Sequence, residues 1–448
     1  MHQRVKQQCQ NQGMIKLTDI LSKTNMTSAY EQVVRNKGAA GIDGMTTEEL
    51  KPYLSFNWTR LKSEILLGSY RPQAVRRVEI PKPTGGVRQL GIPTVLDRML
   101  QQGIAQCLSS YYEPKFSDYS YGFRPFRSTH DCIDTALDYL NEGYSYIVEI
   151  DLSKFFDRVN HDRLMYRLST EISDKGLLRL IRLYLQSGVM ENGIVSRTEA
   201  GTPQGGNLSP ILSNIVLDEL DKELEKRGHK FVRYADDISI FVRSLRAGHR
   251  VLESISVWIE SKLKLQVNQD KSGVRHYQKG GLLGFGFYKD SQGVQCRILD
   301  KSYRRFFRKL KQYTKRSWSV SFDYRMKIIN TYTQGWISYF GKAKGKTRIG
   351  RIDEWLRRRL RMCIWKQWKL VRTRYRNLKK LGISDNQSYQ WANTRKSYWR
   401  TSRSPILQRA ITNTRLEQRG YVSLSKKYRL RHSILMNRRD TRTVCPVV

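Results

Sequence analysis

The sequence predicts an α+β protein whose last third is all-helical and strongly basic. Three observations carry this. Stretches with the two-residue alternation of strands, at 76–93, 145–151 and 231–242, are interleaved in irregular order with stretches of helical apolar period. Beyond residue 300 the strand pattern stops and the helical period continues. The charge divides at the same place: residues 301–448 hold 40 Lys+Arg against 6 Asp+Glu, a net of +34, which leaves only +7 of the total +41 for residues 1–300.

Helical period runs through residues 15–70, apart from a glycine-rich break, NKGAAGIDGM, at 36–45. RRVEIPKPTGGVRQLGIP (76–93) reads as strand, turn and strand, with PTGG as the turn. TVLDRMLQQGIAQCLSSYY (94–112) is a helix. SYIVEIDLSKFFD (145–157) opens on a strand that ends at Asp151. Tyr146, Val148 and Ile150 fall on one face of it, Glu149 and Asp151 on the other. AGTPQGGNLSPILSNIVLDELDKEL (200–224) is a glycine-rich loop and a helix, with Ser209 as a natural N-cap and Pro210 at the first helical position. FVRYADDISIFV (231–242) reads as a hairpin with Asp236 and Asp237 at its turn; a helix at about 248–264 and the segment GGLLGFGFY (280–288) follow. In the first helix beyond residue 300, Tyr303, Phe306, Phe307, Leu310 and Tyr313 share a face, while Arg304, Arg305, Arg308 and Lys311 point elsewhere.

A chain of 448 residues with 39% hydrophobic residues can build two or three cores and is not a disordered segment. The excess of cations calls for a polyanion as partner. Seven of nine tryptophans (318, 336, 355, 365, 368, 391 and 399) lie in the basic third, where most are expected in a helical core and a few against bases. The cysteines at 9, 107, 132, 296, 363 and 445 never form a C-x-x-C pair, which excludes zinc-finger spacing and suits a reducing cytosol. MHQRVKQQCQNQG lacks the apolar stretch of a signal peptide, and no run of about 18 apolar residues predicts a membrane span. FGKAKGKT (340–347) carries Phe where a phosphate-binding loop needs its first glycine, and reads as a solvated basic loop.

Asp236 and Asp237 alone are ordinary turn residues. With Asp151 at the end of another strand they become three oxygen donors suited to Mg²⁺. A carboxylate from each of two adjacent strands can clamp two such ions about 3.5–4 Å apart.

EIDLSKFFD, AGTPQGGNLSP, RYADD and LLGFGF occur in an order and spacing that resemble the palm motifs of reverse transcriptases. The chain is more similar still to the group II intron-encoded class. RRVEIPKPTGGVRQLGIPTVLDR resembles its fingers motif, SYGFRPFRSTH (120–130) the segment before the first palm Asp, and NKGAAGIDGM its N-terminal extension. GWISYFGKA and LRRRLRMCIWKQWK resemble its maturase, or thumb, region. The resemblance spans about residues 25–430 and implies a right-hand polymerase fold. Residues 1–70 would form an N-terminal helical extension, 71–295 the fingers and palm, 296–380 a helical thumb/maturase domain and 381–448 a basic nucleic-acid-binding segment. It also implies an RNA-directed DNA polymerase that binds its parent intron RNA, promotes splicing and copies the RNA into DNA during retrohoming. Its partners would be that RNA in a ribonucleoprotein particle, a DNA target serving as primer, and deoxynucleoside triphosphates, with no membrane. A related enzyme recruited to defence or repair, and a splicing-only cofactor, are the alternative readings; the intact Asp triad opposes the second.

Carried over residue by residue, the resemblance makes Asp151, Asp236 and Asp237 the catalytic ligands of two Mg²⁺ ions, with the backbone carbonyl of Leu152 as a further oxygen. Phe156 falls where such enzymes hold a ring beneath the sugar, with plain core packing as the competing reading. Lys82 and Arg88 match positions that grip the triphosphate, with an ordinary charged hairpin tip as the competing reading. Gln204, Gly205 and Gly206 match the loop against the incoming nucleotide and template. Tyr234 would abut the primer end, and Lys271 matches a lysine proposed to protonate pyrophosphate, with a solvated lysine after a turn as the competing reading. Arg304, Arg308 and Lys311 are candidate RNA contacts. One His and two isolated cysteines after residue 300 lack the pattern of a His-Asn-His nuclease, so no endonuclease is expected.

Overall fold

Two four-stranded sheets organise the first of two units, which divide at His276 and Tyr277. The computed structural model describes residues 15–81, 85–191, 194–196 and 205–443, with backbone alone at 88, 189, 191, 194–196 and 438–443. The predicted α+β class is the one adopted.

The first sheet has the order β2-β1-β4-β5. β1 (Val75–Pro81) and β2 (Val87–Ile92) pair antiparallel from Arg76↔Ile92 to Pro81↔Val87, as PTGG predicts. Gly85 and Gly86 at the tip have φ of +95° and +79°, values that glycine adopts without steric cost. β4 (Val189–Glu191) runs parallel to β1 and pairs antiparallel with β5 (Ile194–Ser196).

The second sheet is wholly antiparallel, in the order β6-β7-β3-β8. It comprises β3 (Tyr146–Ile150), β6 (Lys230–Tyr234), β7 (Asp237–Val242) and β8 (Gly273–His276). The helices Thr129–Asn141 and Ser209–Lys226 lie against β6, and the helix Leu245–Trp258 lies against β3, β7 and β8. Both faces are therefore covered. Ile147 is as buried as Val148 and Ile150, where strict alternation placed apolar groups on one face only.

Two helix starts differ from expectation. Ser209 is the first helical residue and Leu208 the N-cap, with no side-chain cap. Pro210 in the first turn has no N–H to satisfy, which leaves one donor fewer for a cap to meet. Ser244 accepts the Ala247 N–H at 3.2 Å, so the next helix begins at Leu245 rather than near 248; it ends in a π-helical turn at Ile259–Leu263.

The second unit opens with a three-stranded antiparallel sheet, β9 (Gly281–Leu282), β10 (Phe285–Asp290) and β11 (Gly293–Ile298), before any of its helices. This sheet falls with the helical part of the chain, ahead of the expected boundary at 295/296. In the helix Asp300–Tyr313, Tyr303, Phe306 and Leu310 are buried; Phe307 is not, and its ring lies 4.1 Å from that of Trp355. Asp353 is enclosed and accepts from Ser423 Oγ and the Leu424 N–H, both at 2.9 Å, which ties the helix Lys346–Gln367 to the start of the helix Leu424–Thr443. Trp365 and Trp368 are core residues. Trp399 instead carries the Arg358 guanidinium 3.6 Å above its ring, and Arg374 stacks on Trp365 from outside at 4.7 Å. Among the described residues no helix is long and apolar enough to cross a membrane.

Candidate active site

Register brings the predicted carboxylates to one end of the second sheet. β3 pairs with β7 through Ile150↔Ile238, which sets Asp151, the next residue, opposite Asp237. β6 pairs with β7 through Tyr234↔Asp237, leaving Ala235 and Asp236 as a two-residue turn. Ala235 has φ +59°, the left-handed conformation that a tight hairpin demands. Asp237 is exposed, and Asp151 and Asp236 are half-exposed. Behind them Cys132 is fully buried; burial, and then the Asp237 charge, push its thiol well above the ordinary range.

The end of β3 is held by a loop from the chain before β8. The Asp151 N–H donates to Ser272 Oγ at 3.0 Å, and the Asn268 N–H donates to the Asp151 carbonyl at 2.8 Å. Leu152 bridges to Val267, and its side chain is buried. Lys271 is not simply a solvated lysine: its Nζ lies 3.4 Å from Asp151 Oδ2 while its side chain stays 67% exposed. Such a contact contributes little to stability but puts an exposed cation beside Asp151.

Phe156 is half-buried, edge-on to the buried Phe155 with ring centroids 5.2 Å apart. Lys154, in the left-handed region at φ +49°, makes the turn that delivers both rings. Gly205 and Gly206 permit close approach, and here the approach is to the chain itself. A Cβ on Gly205 would lie 2.6 Å from the Gly91 carbonyl in β2, and one on Gly206 would lie 2.8 Å from Gln101 Oε1. Arg88 is opposite Ile80 in the β1–β2 hairpin, with its backbone alone described. Lys82 and Gln204 lie outside the described residues. Arg304, Arg308 and Lys311 are exposed in the second unit.

Sequence reasoning missed the support behind the turn. Arg233, preceding Tyr234, is completely buried and meets an equally buried Asp221, with Nε on Oδ1 at 2.7 Å and Nη2 on Oδ2. Its Nη1 donates to the Ala235 carbonyl and to Asn214 Oδ1, both at 3.0 Å, while Asn214 Nδ2 donates to the Gly122 carbonyl at 2.9 Å. An arginine inside the apolar run FVRY was the available signal, since a buried guanidinium requires a carboxylate.

Among the described residues no three His, Cys, Asp or Glu side chains converge closely enough to enclose a metal ion. The donor set nevertheless fits Mg²⁺: solvent-facing carboxylates from adjacent strands are hard oxygen ligands that leave positions for water and phosphate.

Residues 80–299 match the family model "Reverse transcriptase (RNA-dependent DNA polymerase)", and residues 303–382 match "Group II intron, maturase-specific domain". Protein YkfC of Escherichia coli (strain K12) is 32% identical, over 57% of this chain and 77% of its own length. The group II intron-encoded protein LtrA of Lactococcus lactis subsp. cremoris is 31% identical, over 61% of this chain and 58% of its own length. The chain thus spans a little over half of LtrA.

Proposed function

The chain belongs to the family of group II intron reverse transcriptases that carry a maturase domain, and on that premise we propose that it copies RNA into DNA at the Asp151–Asp236–Asp237 site and binds its intron RNA through the second unit. The observation that carries the reading is the register that sets Asp151 opposite Asp237 beside the Asp236 turn. Mg²⁺ held by these carboxylates, with the Leu152 carbonyl, would activate the primer hydroxyl and neutralise the leaving pyrophosphate.

The chain's own residues do the positioning. Tyr234, adjoining the turn, would seat the primer end. Phe156 would sit beneath the nucleotide sugar and exclude a 2′-hydroxyl. Lys82, Arg88 and Gln204 with Gly205 and Gly206 would hold the triphosphate and the templating base. Lys271, exposed and within reach of Asp151, would turn toward pyrophosphate and give it a proton. Residues 301–448, at +34, supply sequence-independent affinity for RNA, and intron recognition adds shape and unpaired bases to it. Retrohoming into a DNA target and action in the cytoplasm as a ribonucleoprotein belong to the same proposal.

The test is extension of a DNA primer on an RNA template, alongside splicing of the cognate intron at physiological Mg²⁺. Wild type should do both, and Asp236→Ala should splice without extending. Normal extension by Asp236→Ala would remove the polymerase assignment. Absence of splicing by that variant, with RNA binding preserved, would remove the independent maturase role.

A further inference from the structure

A run of side-chain amides crosses the first unit and ends on the loop that carries Gly205 and Gly206. Asn207 Nδ2 donates to Gln102 Oε1 at 2.9 Å, Gln102 Nε2 to Gln106 Oε1 at 3.3 Å, and Gln106 Nε2 to Asn25 Oδ1 at 2.9 Å. Gln102 and Gln106 lie one turn apart on the helix Val95–Tyr112, and Asn25 belongs to the helix Lys23–Asn36. Asn25 is buried and closes the run: its Nδ2 donates to the Ile20 carbonyl at 2.8 Å and to the Gly103 carbonyl at 3.1 Å. A Cβ on Gly103 would lie 3.3 Å from that nitrogen, so the bare backbone is what lets Asn25 reach it.

The two carbonyls at the buried end fix the direction of every amide. Turned over, Asn25 would set its oxygen against two acceptors and leave them unpaired. Its Oδ1 therefore faces Gln106, which must offer N–H and keeps its own oxygen for Gln102; Gln102 in turn keeps its oxygen for Asn207. Leucine would fill the half-buried helix positions of Gln102 and Gln106 at less cost in side-chain entropy, and uncharged hydrogen bonds contribute little net stability. What the run supplies is position. A Cβ on Gly205 would abut the Gly91 carbonyl, and one on Gly206 would abut Gln101 Oε1. Those contacts stop the loop from moving inward. The Asn207 hydrogen bond stops it from withdrawing.

Resting on the polymerase reading, we propose that Gln102, Gln106 and Asn25 are positioning residues for nucleotide binding, which act through Asn207 to set the Gly205–Gly206 loop against the incoming deoxynucleoside triphosphate. None of the three belongs to the carboxylate site. Each link polarises the next, so a break at Gln106, two links from the loop, is felt at the loop. The helix Lys23–Asn36 thereby bears on nucleotide affinity through Asn25, which is itself buried.

The experiment measures single-nucleotide extension of a primer on an RNA template by wild type, Gln102→Met, Gln106→Met, Asn207→Leu and the double variant Gln102→Met with Asn207→Leu. Methionine keeps the reach of glutamine and removes the amide. KM for the deoxynucleoside triphosphate should rise about fivefold in Gln102→Met and Asn207→Leu and about threefold in Gln106→Met, with kcat within about twofold of wild type. The double variant should be no worse than Gln102→Met alone, because a link already broken cannot be broken again. Asn207→Leu cuts the run from the loop side, at a half-exposed position, so the test stands even where a helix variant fails to fold. An unchanged KM in folded variants, a fall in kcat that only follows a lowered melting temperature, or losses that add in the double variant would each overturn the proposal. Failure of wild type itself to extend any primer brings down the polymerase reading, and this proposal with it.

Discussion

Arg233 and Asp221, neither reached by solvent, meet through two parallel hydrogen bonds, and the same guanidinium holds the Ala235 carbonyl in the turn that presents Asp236. The pair couples the helix Ser209–Lys226 to the β6–β7 hairpin. Asp221→Asn leaves a buried cation without its counter-charge and should cost about 3–5 kcal/mol, read from chemical denaturation. Arg233→Lys keeps the charge but loses the fork, so primer extension should fall at temperatures where the variant remains folded. A variant as stable and as active as wild type would show that the turn holds itself.

Asp151→Ala, Asp236→Ala and Asp237→Ala should each reduce primer extension by at least about a hundredfold, because on the proposed reading each removes an oxygen ligand of the ions that would stabilise the transition state. RNA affinity, measured by filter binding, should be nearly unchanged in all three. The excess of cations proposed to supply it lies in residues 301–448.

Phe156 is only half-buried, and Phe155 fills the core position beside it. Phe156→Val should therefore keep most of the stability and raise ribonucleotide incorporation relative to deoxynucleotide. A fixed ratio with a lowered melting temperature would return Phe156 to core packing.

Exposed Arg304, Arg308 and Lys311 line one helix. Changing each to Gln should flatten the slope of log K against log salt by roughly 0.7–0.9 for every phosphate that is no longer neutralised. Affinity titrations between 50 and 200 mM salt, roughly the range over which such ion pairs are felt, measure this directly. Unchanged slopes would place the RNA on another face.

Asp97 is buried at the start of the helix Val95–Tyr112. Burial raises its pKa, against the pull of hydrogen bonds from Tyr70, Thr94, the Gln73 N–H and Tyr184. A carboxyl whose folded pKa is raised contributes stability that is complete below its unfolded pKa of about 3.9 and lost as pH rises through the folded value. Asp97→Asn cannot ionise. Its stability relative to wild type should accordingly improve with pH across that window, as followed by denaturant titration at several pH values.

Much of the site was legible because its signals are local. An apolar alternation ending on Asp151, and a second one broken by Asp236 and Asp237, announce strands with carboxylates at their ends, and glycines announce close approach. What they approach is not local. Gly205 and Gly206 press on β2 and Gln101, neighbours that depend on how distant segments meet. Ile147 reads as a solvent-side residue, yet it is buried on the face it shares with its cross-strand partner Phe241, whose ring meets Tyr139 of the helix Thr129–Asn141. The Arg233–Asp221 pair joins a strand to a helix across the core, and residue preferences give no hint that Phe123 and Phe126 take a glycine-like conformation.

The strand order β6-β7-β3-β8 also sets a timetable. β3 is made early, but both of its partners are encoded far downstream, and it cannot be flanked until His276 has been synthesised. At about 5–20 residues per second, Ile147, Val148 and Ile150 wait unpaired on the order of ten seconds. A strand apolar on both faces is then open to wrong pairing and a natural client for chaperones. Because Asp151 has no fixed place before β8 closes the sheet, a nascent chain stalled short of that point should be inactive, however much of the fingers hairpin it has already folded.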